Sequence, residues 1–368
     1  MEYTRLDTPA LLIDREILMD NLRFMQDYAD KHGVFLRPHT KTHKMPHIAR
    51  LQLEQGARGI AVAKVGEAEV MVEKGISDIL IANEIVGQRK LERIRELSKR
   101  AKVAFGVDTP HQVQEAQRVF AGNEVSAEVL IEIEVGENRS GIIEEEDFTA
   151  LLEEIKKCGD VRFRGIFSHD GNSYDAEDIH ECRKIARDAQ KRTLYFAELA
   201  AEQGMPCEMV SYGATPTLMN DVEILKGITE IRPGTYALMD ASQANAIGTF
   251  DRCAATVLTT VISRPTAERV ILDVGAKGLT MQARTEGICS TPGLGTILEY
   301  PDTHIDQMFD EHAIIYDRSF RAALSIGDKV RVIPVHICPV CNLYDRAWLI
   351  SGTEVIDEIP VLCRGKIT

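Results

Sequence analysis

Eight short β-like runs, most of them separated by helical segments, occupy the first two-thirds of this chain, and that alternation limits the fold more than any other feature. The runs are Val34–Leu36, Gly59–Val62, Asp78–Ile81, Val103–Val107, Ala127–Val135, Val161–Phe167, Glu208–Val210 and Ile228–Ile231. Segments with helical periodicity lie between them, among them Lys90–Lys102, His111–Phe120, Asp147–Lys157 and Ala176–Gln203, rich in Glu, Lys, Arg, Ala and Leu. Strand–helix repetition of this kind predicts a parallel sheet covered by helices. A doubly wound sheet would carry the same alternation. Eight units favour a closed (β/α)8 TIM-type barrel.

After about residue 245 the texture changes to β-branched runs without long helices: Ala254–Ser263, Arg269–Val274, Lys329–Ile337 and Trp348–Ser351. Turn clusters punctuate them, as at Thr291-Pro292-Gly293 and Ile326-Gly327-Asp328, and predict antiparallel pairing. The expected organisation is therefore a barrel over 1–245 and a mostly antiparallel β domain over 246–368, with the first residues available to pair with the latter.

A formal charge of −14 argues against nucleic acid or an anionic membrane as partner, since both favour basic surfaces. No apolar run reaches membrane-spanning length, and the first residues carry no signal-peptide pattern, so the expectation is a soluble, cytoplasmic protein with a small-molecule ligand. The eight cysteines are too sparse for a disulfide framework in 368 residues.

In a barrel, chemistry gathers where strands end. Arg37-Pro38-His39-Thr40-Lys41 follows the first run, and an amine among cations can be neutral often enough to attack a carbonyl, which makes Lys41 or Lys44 a Schiff-base candidate. Gly136-Glu137-Asn138-Arg139-Ser140-Gly141 follows the fifth run, and Ser168-His169-Asp170-Gly171-Asn172-Ser173-Tyr174 the sixth. Ser211-Tyr212-Gly213-Ala214-Thr215-Pro216 and Arg232-Pro233-Gly234-Thr235-Tyr236 follow the last two, small and hydroxyl-rich enough to cradle a phosphate. A lysine at strand one with a phosphate cup at strands seven and eight suggests pyridoxal phosphate.

In the β region, Val335-His336-Ile337-Cys338 reads as strand, which would set His336 and Cys338 on one face about 7 Å apart. Imidazole and thiolate favour zinc over magnesium or calcium, with manganese as second choice, and two protein ligands leave positions for water and substrate. Cys338 and Cys341 could instead form a redox pair, but a lone CxxC is a weak signal. The His39, His43, His47 series imitates a helical metal site, which Pro38 and Pro46 oppose.

Together with Val65-Gly66-Glu67-Ala68-Glu69 and Leu6-Asp7-Thr8-Pro9, these motifs resemble the D-threonine aldolase and D-serine dehydratase family of pyridoxal-phosphate enzymes, which share an alanine-racemase-like barrel. The resemblance runs over nearly the whole chain. It implies that Lys41 rather than Lys44 carries the cofactor, that Arg139 bonds its phenolic oxygen and that His169 packs on its ring. Tyr212, Gly213, Thr215, Gly234 and Tyr236 match the phosphate cup, and His336 and Cys338 the divalent-metal pair. Tyr174 and His312 are further catalytic candidates. The implied reaction is lysis of D-β-hydroxy-α-amino acids, with retro-aldol cleavage of D-threonine-type substrates preferred over dehydration of D-serine or D-threonine. A racemase ranks lower, because Ala276 stands about where alanine racemases carry a tyrosine, and so does a non-catalytic cofactor carrier. The resemblance also implies a homodimer.

Overall fold

The computed structural model describes residues 1–368 and divides into two compact units. One comprises Met25–Lys41, Ile48–Gly234 and Gly365–Thr368; the other comprises Met1–Phe24, Thr42–His47 and Thr235–Arg364. The unit that holds most of the β-rich region thus spans Thr235–Arg364 and takes in the amino-terminal segment Met1–Phe24. The strands in chain order are β1 (Ala10–Asp14), β2 (Phe35–Leu36), β3 (Ile60–Val62), β4 (Asp78–Glu84), β5 (Lys102–Val107), β6 (Ala127–Ile133), β7 (Val161–Ser168), β8 (Met209–Tyr212) and β9 (Glu230–Ile231).

Strands β2 to β9 form one parallel sheet in the order β2-β9-β8-β7-β6-β5-β4-β3. Its two edges meet beyond the end of β2, where the Ala61 N–H donates to the Pro38 carbonyl and the Thr40 N–H to the Ala61 carbonyl, both at 2.8 Å. The sheet is therefore a closed barrel, and the doubly wound alternative, whose strand order reverses at a switch point, is excluded. Ala61, Leu80, Leu130, Phe167 and Met209 fill its interior. Gly165 (φ +141°) in β7 permits the approach of β8, since an added Cβ would stand 1.9 Å from the Met209 carbonyl oxygen. Local chemistry delimits the helices. Gln112 accepts from the Asp108 and Thr109 N–H groups ahead of helix Pro110–Phe120, and Asp178 caps Ile179–Glu202 through the Glu181 N–H.

The other unit contains β10 (Ala255–Ser263), β11 (Arg269–Leu272), β12 (Thr296–Ile297), β13 (Tyr300–His304), β14 (Gln307–Met308), β15 (Ala313–Tyr316), β16 (Lys329–Ile333), β17 (Arg346–Ser351) and β18 (Glu354–Pro360). Six of them pair with β1 in the order β13-β12-β16-β10-β1-β17-β18, antiparallel except that β1 runs parallel to β17, while β11 pairs with β10 and β15, and β14 with β15, also antiparallel. One expectation is corrected here. The strand read as Lys329–Ile337 stops at Ile333, and Ile337–Cys341 forms a short helix. Pro334 has no N–H to continue the ladder, and Pro339 is tolerated in the first helical turn, where N–H groups need no intrahelical acceptor. His336 and Cys338 therefore flank a helix start rather than share a strand face. Helix Pro46–Glu54 includes His47 but neither His39 nor His43, as the prolines require. No helix is long and apolar enough to cross a membrane.

Candidate functional site

The barrel unit gathers its chemistry at the carboxyl ends of its strands. Lys41 closes the loop after β2, and the loop is anchored from below by buried Arg37, whose Nε meets Glu230 at 2.8 Å and whose Nη1 meets Asp78 at 2.6 Å. His39 Nδ1 faces the Lys41 N–H at 3.4 Å. Burial, then the charges of Lys41, Arg232, His169 and Arg139, hold the His39 imidazole well below its usual pKa. His169, after β7, is held down in the same way by burial and by Lys41 and Arg139. Its Nδ1 lies 3.1 Å from the Gly213 carbonyl oxygen. A carbonyl only accepts, so Nδ1 carries the proton and Nε2 keeps a lone pair.

Arg232, after β9, is buried, donating to Ser211 Oγ and to the Ser168 carbonyl at 2.7 Å each, with Phe167 beneath its guanidinium. Burial lowers its pKa to about 10 against the opposing pull of Glu230 and Glu132. Arg139 stands at the mouth, 3.3 Å from both Glu132 and Glu137. Ser140 Oγ also donates to Glu132, at 2.8 Å.

Of the expected phosphate cup, Thr215 Oγ1 accepts from the Gly234 N–H at 3.3 Å, which joins the loops after β8 and β9. At Gly213 (φ +131°) an added Cβ would meet Leu218 at 2.9 Å. The Tyr212 hydroxyl is committed elsewhere, donating to Asp170 at 2.6 Å, so what Tyr212 can offer a phosphate is its backbone. Tyr174 sits half-buried in a helical turn, Gly171–Asp175, where the neighbouring Ser173 hydroxyl is buried without a partner. A lysine, a ring-nitrogen base, fixed guanidinium groups and side-chain-free backbone fit an anionic, planar cofactor.

The other unit holds the metal candidates. His336 Nδ1 is 3.1 Å from Asp240 Oδ2, which also accepts the Ile337 N–H at 3.0 Å. Asp240 is fully buried at the start of helix Ala241–Ile247, where its Oδ1 accepts from the Gln243 N–H and the Ser242 hydroxyl. Burial opposes ionisation of Asp240, but the bonds from His336, Gln243 and Ile337 hold its pKa below the usual value. Burial likewise opposes a charge on His336, and Cys338 with Asp240 overrides it, raising the imidazole to about 10. Because the carboxylate keeps a proton on Nδ1, Nε2 is the nitrogen a metal could take once its own proton is displaced. Cys338 Sγ lies 3.3 Å from the hydroxyl of Thr42, the residue that follows Lys41 in the chain, and 3.7 Å from that of Thr235. The donor set suits zinc. Cys338 and Cys341 form no disulfide, and burial raises the pKa of the Cys341 thiol. Tyr236 is buried in this unit, and His312 is exposed at the turn between β14 and β15.

Three features were not singled out from the sequence: the Arg37 anchor, the Asp240–His336 pair, and Glu84 at the end of β4. Glu84 is bonded to Glu132; burial, that bond and the charge of Glu132 raise its pKa to about 8. Their local signal is weak, because each is a single charged residue whose partner is distant in sequence.

The fold and these loops define a class: an alanine-racemase-type barrel joined to a dehydratase-type β domain. Residues 13–242 match the model of the alanine racemase N-terminal domain, and residues 254–350 that of the putative serine dehydratase domain. The D-threonine aldolase of Arthrobacter sp. is 34% identical over 98% of this chain and 93% of its own. Among solved structures, D-threonine aldolase from Filomicrobium marinum superposes with a TM-score of 0.90 at 30% identity, covering 100% of this chain and 98% of that one. D-threo-3-hydroxyaspartate dehydratase from Delftia sp. gives 0.91 at 26% identity, covering 98% of each chain, and a variant of it is described in a metal-free form. The chain belongs to the D-threonine aldolase and D-serine dehydratase family.

Proposed function

We propose that this protein is a pyridoxal-phosphate- and divalent-metal-dependent lyase that cleaves D-threonine-type β-hydroxy-α-amino acids into glycine and an aldehyde. The observation that carries the reading is the setting of Lys41, at the end of the first barrel strand with His39, His169, Arg139 and Arg232 acting on one another electrostatically around it. Pyridoxal phosphate, bound through Lys41, would supply an electron sink for a bond at Cα, and a zinc or manganese ion on His336 and Cys338 would supply Lewis acidity toward a β-hydroxyl.

The remaining roles fall to the chain itself. Lys41 Nζ can hold and return a proton. His169 is neutral at pH 7, and its bare Nε2 can accept one. Arg139 would bond the phenolic oxygen, with Glu132 and Glu137 restraining its guanidinium. Thr215, Gly213 and Gly234, with the Tyr212 backbone, would hold the phosphate. Asp240 would orient His336. Tyr174, Tyr236 and His312 are retained as pocket candidates.

The preference for aldol cleavage rests on the identity to the Arthrobacter aldolase. A second reading, β-elimination from D-serine or D-threonine to a 2-keto acid and ammonia, is favoured by the His-x-Cys pair and by the likeness to the Delftia enzyme. Incubating the protein with pyridoxal phosphate, zinc or manganese, and D-threonine or D-serine, then resolving the products by mass spectrometry, separates them. Glycine with acetaldehyde supports cleavage; pyruvate or 2-oxobutyrate with ammonia supports elimination and refutes cleavage. A homodimer is part of the proposal, and a fully active monomer in sedimentation would refute that part.

A further inference from the structure

The barrel has a second opening, at the amino ends of its strands and so opposite the end that carries Lys41, with a cavity of about 300 Å³. That volume is at the small end of ligand pockets, which run from about 300 to 1,000 Å³. Barrel interiors are ordinarily filled by layers of bulky branched side chains. Here Ala104 and Met209 line the cavity beside Leu80, and the layer facing outward from them is charged rather than apolar.

The charges at this mouth are unevenly matched. Arg37, Arg58, Lys102, Arg162 and Arg164 line it, against Asp78 and Glu128. Each acid there already has a guanidinium. Asp78 pairs with Arg37 at 2.6 Å and Glu128 with Arg164 at 2.5 Å, while Glu208 just outside takes Arg162 at 2.6 Å and Arg164 at 3.0 Å. Arg58 and Lys102 are left over. The Arg58 guanidinium lies over the Phe35 ring at 4.3 Å, and neither side chain makes an ion pair. In a chain of net charge −14, two cations without a carboxylate at the rim of a cavity stand out against the surrounding field. Arg58 is already held in place by stacking, and a planar guanidinium so positioned can engage two oxygens of one anion.

We infer that the amino-end cavity of the barrel binds a small oxyanion, a phosphate- or carboxylate-bearing metabolite, through Arg58 and Lys102. The paired charges around them form the rigid wall of this site, and its apolar floor at Ala104 and Met209 accepts the ligand's carbon skeleton. This site is independent of the reading given to Lys41.

The test is calorimetric titration of the cofactor-loaded protein with inorganic phosphate and, separately, with succinate, in a buffer free of other oxyanions. Saturable binding of at least one probe is expected, weakened about tenfold or more in the R58A/K102A double variant, with the absorbance of bound cofactor unchanged. Preference for phosphate assigns a phosphorylated ligand, and preference for succinate a carboxylate. Both substituted residues are exposed, and K102Q alone, expected to show a partial loss, serves should the double variant fold poorly. Absence of saturable binding for both probes overturns the inference, as does equal affinity in wild type and variants, which would place the anion elsewhere on the protein.

Discussion

Replacing Glu84 by glutamine isolates one ionisation and its cost. Glu84 is bonded to Glu132, and burial together with that neighbour raises its pKa from 4.5 to about 8, so at neutral pH the folded protein holds a proton that the unfolded chain has released. With the folded state binding more protons than the unfolded one, stability falls as pH rises from about 4.5 to about 8 and is level outside that window. Each pH unit of such a difference is worth about 1.4 kcal/mol, giving about 5 kcal/mol for a carboxyl wholly removed from solvent. Glu84 is only part-buried, and screening reduces the expectation to about 2 kcal/mol. Glutamine keeps a donor toward Glu132 and cannot ionise. Wild type and Glu84→Gln should therefore differ by less than about 1 kcal/mol at pH 5, while the variant should be more stable by about 2 kcal/mol at pH 8.5. Urea unfolding at pH 5, 6, 7 and 8.5 measures the difference, in which the opposing pH dependence of His39 and His169 cancels. A difference that does not change with pH would refute the shared-proton account.

Four other substitutions test the remaining architecture. Arg37→Met leaves Asp78 and buried Glu230 without their cation and should cost about 3–5 kcal/mol in denaturant unfolding; a loss below about 1 kcal/mol contradicts the anchoring role. Gly165→Ala forces a Cβ against the Met209 carbonyl at a positive φ, with an expected loss above about 3 kcal/mol or insoluble protein; a normal melting curve counts against the observed β7–β8 register. Asp240→Asn should weaken zinc binding by roughly 10–100-fold in chelator competition, and unchanged affinity would remove Asp240 as the orienting group for His336. Lys41→Ala should abolish the visible absorbance of bound pyridoxal phosphate, and a surviving band would shift the assignment to another lysine, with Lys44 the first to examine.

The sequence carried the order of elements because strands and helices are written in local periods of 2 and 3.6 residues. Each of the eight barrel runs lies within a few residues of its strand, and the segments after them hold Lys41, Arg139, His169 and, at a helix start, Thr215. The same local rule misread Val335–Cys338, where alternating apolar residues imitate a strand but two prolines impose a helix start. It also left β1 without a strand reading, since Ala10–Asp14 stands apart from the β/α alternation, and only pairing with β10 and β17 makes it the centre of a sheet.

Tertiary structure decided the state of these groups. The protonated nitrogen of His169 is set by a carbonyl 44 residues away, and that of His336 by a carboxylate 96 residues away. The Glu84–Glu132 bond, the burial of Arg37 between Asp78 and Glu230, and the unmatched cations at the amino-end cavity likewise exist only once the barrel has closed. Residue type and spacing fix which groups arrive at a strand end. Burial, tautomer and charge pairing depend on neighbours that only the closed chain brings within a few ångströms, because hydrogen bonds and ion pairs act over that range.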